Sequence, residues 1–184
     1  MIEYTYVPMK DEIINALRAG LAAQQYKTLR IIKADPKEAA EIPCICVNRA
    51  DAGESNQVLG DVLDPEFDEE SSKWVEYKGT FFSETMEIRI WHFNSDEREN
   101  LYLLMQAILF DMKNALAAKG VHNVKLRGGR DEQDNTMMAQ PLYWAAIHMD
   151  YLNPLQVSVI INDESDIITR VDSVFTAIQA TEGS

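Results

Sequence analysis

A chain of 184 residues, 46% hydrophobic and 9% aromatic, suits one folded domain with room for an arm or a large inserted loop. Its formal net charge of −13 excludes a protein that grips nucleic acid through phosphates, since that mode needs clustered Lys and Arg. A membrane span of roughly 20 apolar residues is also excluded, because Gln106, Asp111 and Lys113 interrupt the best stretch.

The opening MIEYTYVPMK puts an acid where a signal peptide needs positive charge, so a soluble, cytoplasmic chain is expected. Residues 10–26 predict a first helix, with Ile13, Ile14, Leu17 and Leu21 on one side and Glu12, Asn15, Arg18 and Gln25 away from it. Gly20 within it weakens the helix by about 1 kcal/mol against Ala. Thr28–Ile32 reads as a short strand, Asp35-Pro36-Lys37-Glu38 as a turn, and Cys44–Val47 as a buried second strand. Cys44 and Cys46 form a lone CxC. A disulfide across so short a span is strained, so the pair reads as buried thiols in a reducing compartment.

Residues 51–72 break the pattern. Asp51, Glu54, Asp61, Asp64, Glu66, Asp68, Glu69 and Glu70 come with no basic residue, and the few apolar positions are irregular. The segment is expected to be a long acidic loop or arm. Calcium would need regular alternate ligands around a central Gly, which is missing, so a solvated loop is the preferred reading.

From Glu84 to Phe93 the chain alternates. Met86, Ile88 and Ile90 face one way, and Glu87, Arg89, Trp91 and Phe93 the other, which predicts a strand with one face in the core. Lys73–Tyr77 is a short strand leading into it. Asn94 with Glu97, or Asp96 with Glu99, has capping-box spacing and starts a long helix. Along that helix Leu101, Leu104, Met105, Ile108, Met112 and Leu116 form one stripe, with Leu103, Ala107 and Phe110 on the far side. Lys119-Gly120 stops it. His122–Leu126 is the next strand, Arg127-Gly128-Gly129-Arg130 a tight turn opening a polar loop, and Leu142–Tyr151 a second long strand, apolar on both faces. Asn153-Pro154 is expected to end the main domain. A strand-like Leu155–Ile161 and an amphipathic helical stripe over Ile167–Ile178 complete the chain. The expected class is α+β: a mostly antiparallel sheet backed by helices on one face over 1–153, with an acidic insertion at 51–72 and an extension at 154–184.

No phosphate-binding glycine loop, HExxH, paired CxxC or GxSxG occurs. Of the three histidines, His92 and His148 lie near the ends of the two long strands. If those strands are neighbours the rings could hold a metal with Asp150, but separate hydrogen bonds at the sheet edge are the plainer reading. Asp131, Glu132 and Asp134 with Lys125 have the composition of a nuclease site, yet fall in the expected polar loop rather than at strand ends. Trp74, Trp91 and Trp144 read as core or interface anchors.

The order of elements carries a resemblance. An amphipathic helix, the segment IPCICVN, the unit ETMEIRIWHFNSDERENLYLLMQAILFDMKNAL and then VKLRGGRD…PLYWAAIHMDYL look like the tail terminator, or tail completion, proteins of tailed bacteriophages and related minor tail and neck proteins. The likeness covers residues 10–152 and rests on patterns rather than catalytic signatures. The acidic insert and the segment after Pro154 depart from it. The resemblance implies a structural virion protein, not an enzyme, made in the host cytoplasm and built into the tail or neck without cofactor or metal. Its copies would form a homo-oligomeric ring, usually hexameric, that caps the tail tube or sheath and meets the head–tail connector or neck proteins while genomic DNA passes unbound. In such a ring the second apolar faces would become subunit contacts, here Trp91, Phe93, Leu103, Phe110, Tyr143, Ile147 and Met149. Asp61, Asp64, Glu66, Asp68, Glu69 and Glu70 would rim the channel or reach a partner. A head–tail connector of the same fold, a small-ligand module, and a metal-dependent enzyme using His92, His148 and Asp150 are the alternatives.

Overall fold

Met86, Ile88 and Ile90, which share one face of a strand by their spacing, are each no more than 1% exposed and pack under two helices. Around them the computed structural model describes residues 2–24, 26–54, 66–68, 73–134 and 141–161. The described elements are β1 (Ile2–Tyr6), α1 (Met9–Ala23), β2 (Arg30–Ile32), a 3-10 turn (Ala39–Glu41), β3 (Cys44–Glu54), β4 (Glu66–Asp68), β5 (Lys73–His92), α2 (Ser95–Asp111), α3 (Lys113–Ala117), β6 (His122–Asp134) and β7 (Leu142–Ile161). The class is α+β, as the sequence predicts. They fall into two compact units. The larger takes Val7–Asn56 with Phe81–Pro154, and the smaller takes Met1–Tyr6, Gln57–Thr80 and Leu155–Ser184.

In the larger unit the strand order is β2-β3-β5-β7, with β6 paired to β7. The β3–β5 and β6–β7 pairs are antiparallel, and the short β2 joins β3 in parallel. One face of this sheet receives the helices. Ile13, Ile14, Leu17 and Leu21 of α1 and Leu101, Met105 and Leu109 of α2 close over Ile45, Val47, Ile88, Ile90, Ile147 and Met149. Burial of each such side chain is worth roughly 1.5–3 kcal/mol, so this layer holds most of the stabilisation. Alternate residues point away from it. There Ile42, Cys44, Cys46, Trp91 and Leu142 form a second, smaller cluster with Ile32, Phe93 and Trp144 around it.

Asn94 caps α2: its side-chain oxygen accepts from the Asp96 and Glu97 amides at 2.8 and 3.0 Å, at the first of the two expected positions, while its own amide donates to His92 rather than closing a box with Glu97. The long helix is interrupted at Met112, dividing it into α2 and α3. Its end has the bonding of a Schellman motif. The Val121 amide donates to the Leu116 carbonyl, the Gly120 amide to that of Ala117, and Gly120 takes φ +81. Gly20 has a packing reason: a Cβ there would come within 2.5 Å of Ile108, so its bare backbone lets α1 and α2 approach.

Two expectations about loops give way to strands. β3 runs on from Val47 to Glu54, pairing Asp51 with Thr85 and Glu54 with Phe82, so the start of the expected acidic loop is ladder. Arg127-Gly128-Gly129-Arg130 is not a turn, and Asp131–Asp134 is not loop: both belong to β6. A register shift between Gly128 and Asp131 marks a bulge there, and a Cβ on Gly129 would lie 2.7 Å from the Ala146 Cβ. The expected strand over Leu155–Ile161 is present as the continuation of β7 through Asn153-Pro154, and the larger unit ends at Pro154.

The smaller unit is described only by strands. Residues Ile2–Tyr6 pair with Val159–Leu155, and Glu66–Asp68 pair with Val75–Lys73, both antiparallel. Phe67 sits opposite Trp74, with ring centroids 5.4 Å apart and nearly edge to face. Residues 55–65 and 69–72 of the expected acidic loop, and the expected helix over Ile167–Ile178, lie outside the described residues.

Candidate interaction surfaces

The inner side of α2 is spent on the core; its outer side is not. Leu103 is 56% and Phe110 67% exposed, Ala107 between them is exposed, and the Lys113 ammonium lies 5.0 Å from the centre of the Phe110 ring. Leu104 and Ile108 are half-buried at the margin of the core. The spacing of Leu103, Ala107 and Phe110 puts them in one line along the helix, as the sequence predicts for its far side.

The other expected contact residues sit differently. Ile147 and Met149 are fully buried beneath α1 and α2, so the chain's own helices occupy the face they offered. Trp91 is 5% exposed in the second cluster, with its ring 5.8 Å from that of Trp144. Phe93 and Tyr143 are half-buried. The second face of the sheet is thus largely covered from within. Leu103 and Phe110 are the members of the expected set that remain open.

His92, His148 and Asp150 do not converge. His92 shares the helix-side face with Ile88 and Ile90, whereas His148 and Asp150 alternate with Ile147 and Met149 and face the opposite way. The His92 Nδ1 accepts from the Asn94 amide at 2.9 Å, and burial pulls its pKa below the ordinary histidine value. The His148 Nε2 lies 3.8 Å from Glu87. Asp150 accepts from the Thr85 hydroxyl at 2.8 Å and from Arg127 Nη2 at 2.8 Å, and the Arg127 hydrogen bond holds its carboxyl below the usual range.

His148, Asp150 and Arg127 belong to a ladder of charge on the helix-free face. Arg89 reaches Glu87 at 2.7 Å and Asp35 at 3.0 Å, and its guanidinium stacks 5.4 Å from the centre of the Trp144 ring. Each guanidinium on this face is thus engaged by at least one carboxylate. Cys44 and Cys46 share one side of β3, with sulfurs 4.0 Å apart and no exposure. The neighbouring Cys44 thiol, and then burial, push Cys46 well above the ordinary thiol range.

Sequence reasoning missed Arg98. It is 8% exposed on α2, pairs with Asp131 of β6 and reaches Glu99 at 3.3 Å. Hydrogen bonding to Asp131 raises its pKa. The available signal was its place one turn before Leu101 on the inner stripe. Asp131, weighed as a nuclease acid, is engaged in this pair, while Glu132 is exposed along β6 beside it. A cleft of about 360 Å³ opens near the end of β5, lined by Tyr26, Arg30, Glu41, Pro43, His92 and Leu101 among others.

Of the expected acidic contacts, Glu66 and Asp68 flank Phe67 in β4, and Asp61, Asp64, Glu69 and Glu70 lie outside the described residues. Among the described residues no helix is long and apolar enough to cross a membrane, and no group of three or more His, Cys, Asp or Glu is placed to hold a metal. No protein-family model matches the chain, and no curated protein matches it either.

Proposed function

We propose that this is a structural assembly protein whose copies close into a ring, usually of six, that caps a phage tail tube or sheath and joins the tail to the head. The observation that carries the reading is the open apolar line of Leu103 and Phe110 on α2. Covering each residue is worth roughly 1.5–3 kcal/mol, which a neighbouring copy gains and a lone copy forgoes. The resemblance in element order supplies the tail terminator assignment. The net charge of −13 suits a pore for DNA, since attraction to phosphate would hold the genome in transit. Head–tail connectors and other neck proteins of the same build are the nearest alternative within this class. The chain is read as non-enzymatic, a virion component assembled in the host cytoplasm.

The test is mass and shape. Light scattering at micromolar concentration should give a multimer and negative stain a ring, and the protein should decorate the ends of isolated tail tubes. Compact monomers in solution, together with bare tube ends after mixing, would overturn the proposal.

A further inference from the structure

Cys44 and Cys46 are the two cysteines of the chain, and they stand side by side. Alternate residues of β3 share a face, so both thiols point to the helix-free side of the sheet. Each is fully buried there, and their sulfurs lie 4.0 Å apart. We infer that the pair is a two-sulfur site for one soft monovalent cation, and that cuprous copper is the ion it takes. The site is independent of the proposed ring and stands or falls separately.

The spacing fits such an ion. With thiolate–metal bonds of about 2.3 Å, the zinc value, one ion joins sulfurs about 4.6 Å apart when linear and about 4.0 Å apart when bent to about 120°. A disulfide fits worse, because residues two apart on one strand close that gap only if the backbone moves. The donor set selects the metal. Thiolates favour cuprous copper, which as few as two of them hold, whereas structural zinc takes four ligands. Among the described residues no group of three or more His, Cys, Asp or Glu is placed to supply such a set.

The surroundings suit a dry, neutral complex. Ile42, Trp91 and Leu142 enclose the thiols, with Ile32, Phe93 and Trp144 around them. Trp91 is 5% exposed, and its buried Nε1 has no hydrogen-bond partner among the described residues. It lies beside Cys46, where its N–H favours a negative sulfur. On binding, one S–H bond breaks and its proton leaves to solvent, while the second sulfur binds as the thiol. A monovalent ion then leaves the cluster without net charge, as burial among apolar groups demands.

The test is titration of the reduced, full chain with cuprous copper under argon, in competition with a chromophoric cuprous chelator. The wild type should hold one equivalent, show two sulfur ligands in copper X-ray absorption and melt higher with copper than without it. Cys44→Ala and Cys46→Ala should each weaken retention by at least the roughly 100-fold that loss of an outer-shell partner can cost. The folding of each variant is read from its own melting curve, and the wild-type stoichiometry and sulfur count need no variant. A wild type that surrenders all its copper to the chelator would overturn the inference. So would zinc bound as tightly as copper, or copper held at full strength by a folded Cys44→Ala, Cys46→Ala double variant.

Discussion

Gly20 and Ile108 show how two local effects of opposite sign are decided by distance. Replacing Gly20 by Ala should favour the helix by about 1 kcal/mol through intrinsic propensity. The added Cβ, however, would come within 2.5 Å of both Cδ1 and Cγ1 of Ile108. Overpacking of that kind costs roughly 1–3 kcal/mol, and a β-branched Ile has few rotamers in which to yield. Gly20→Ala should therefore lower the melting temperature, and Ile108→Val, which removes Cδ1, should recover part of the loss in the double variant. A melting temperature that rises in Gly20→Ala alone would show that the helices simply part. The glycine was legible in the sequence only as a weak point, because nothing along one helix reveals how closely another crosses it. Asn94 was legible as a cap because its partners lie within the next turn.

Strands and helices whose determinants are local were recognisable; those held by a distant partner were not. The alternation from Met86 to Ile90 marks a buried face where the spacing puts it, whereas the stripe from Leu101 to Leu116 is displaced: Leu109, outside it, is fully buried, and Leu104 and Ile108 stay half-buried. The Arg127–Asp134 stretch reads as turn and loop because two glycines and a run of polar residues suppress any period. It is strand because β7 lies alongside, with Tyr102 above Gly128 and Ala146 against Gly129. The same ladder makes the acid-facing prediction. The Arg127 hydrogen bond and, secondarily, that of Thr85 stabilise ionised Asp150, so its folded pKa lies below the unfolded value near 3.9. A depressed carboxylate contributes stability above the unfolded pKa, and that contribution fades as pH falls through the folded one. The wild type should thus lose more stability than Asp150→Asn between about pH 5 and pH 2. Because Arg127 is largely solvent-exposed, the difference should be modest and should shrink in high salt. Parallel acid limbs for the two proteins would mean the pair contributes nothing.

At the scale of the molecule, the sequence carried the class and the sidedness of the helices but misjudged how the second sheet face is covered. Apolar residues at alternate positions say that a face is dry, not which surface dries it. Here Trp91 and Leu142 are sealed by the chain's own second cluster, and among the described residues the large hydrophobic side chains left open are Leu103 and Phe110 on α2 and Phe67 on β4. That narrowing sets how assembly should respond to salt. Every copy carries a formal charge of −13, so copies repel over the Debye length, about 30 Å at 0.01 M and about 10 Å at 0.1 M ionic strength. The contact proposed to hold them is the apolar line of Leu103 and Phe110, and apolar burial is not weakened by screening. Raising sodium chloride from about 0.01 M to about 0.3 M should therefore tighten self-association, by shortening the repulsion while leaving Leu103 and Phe110 covered. Sedimentation velocity across that range reads the effect directly. Association that loosens steadily with salt would mean that ion pairs, and not Leu103 and Phe110, join the copies.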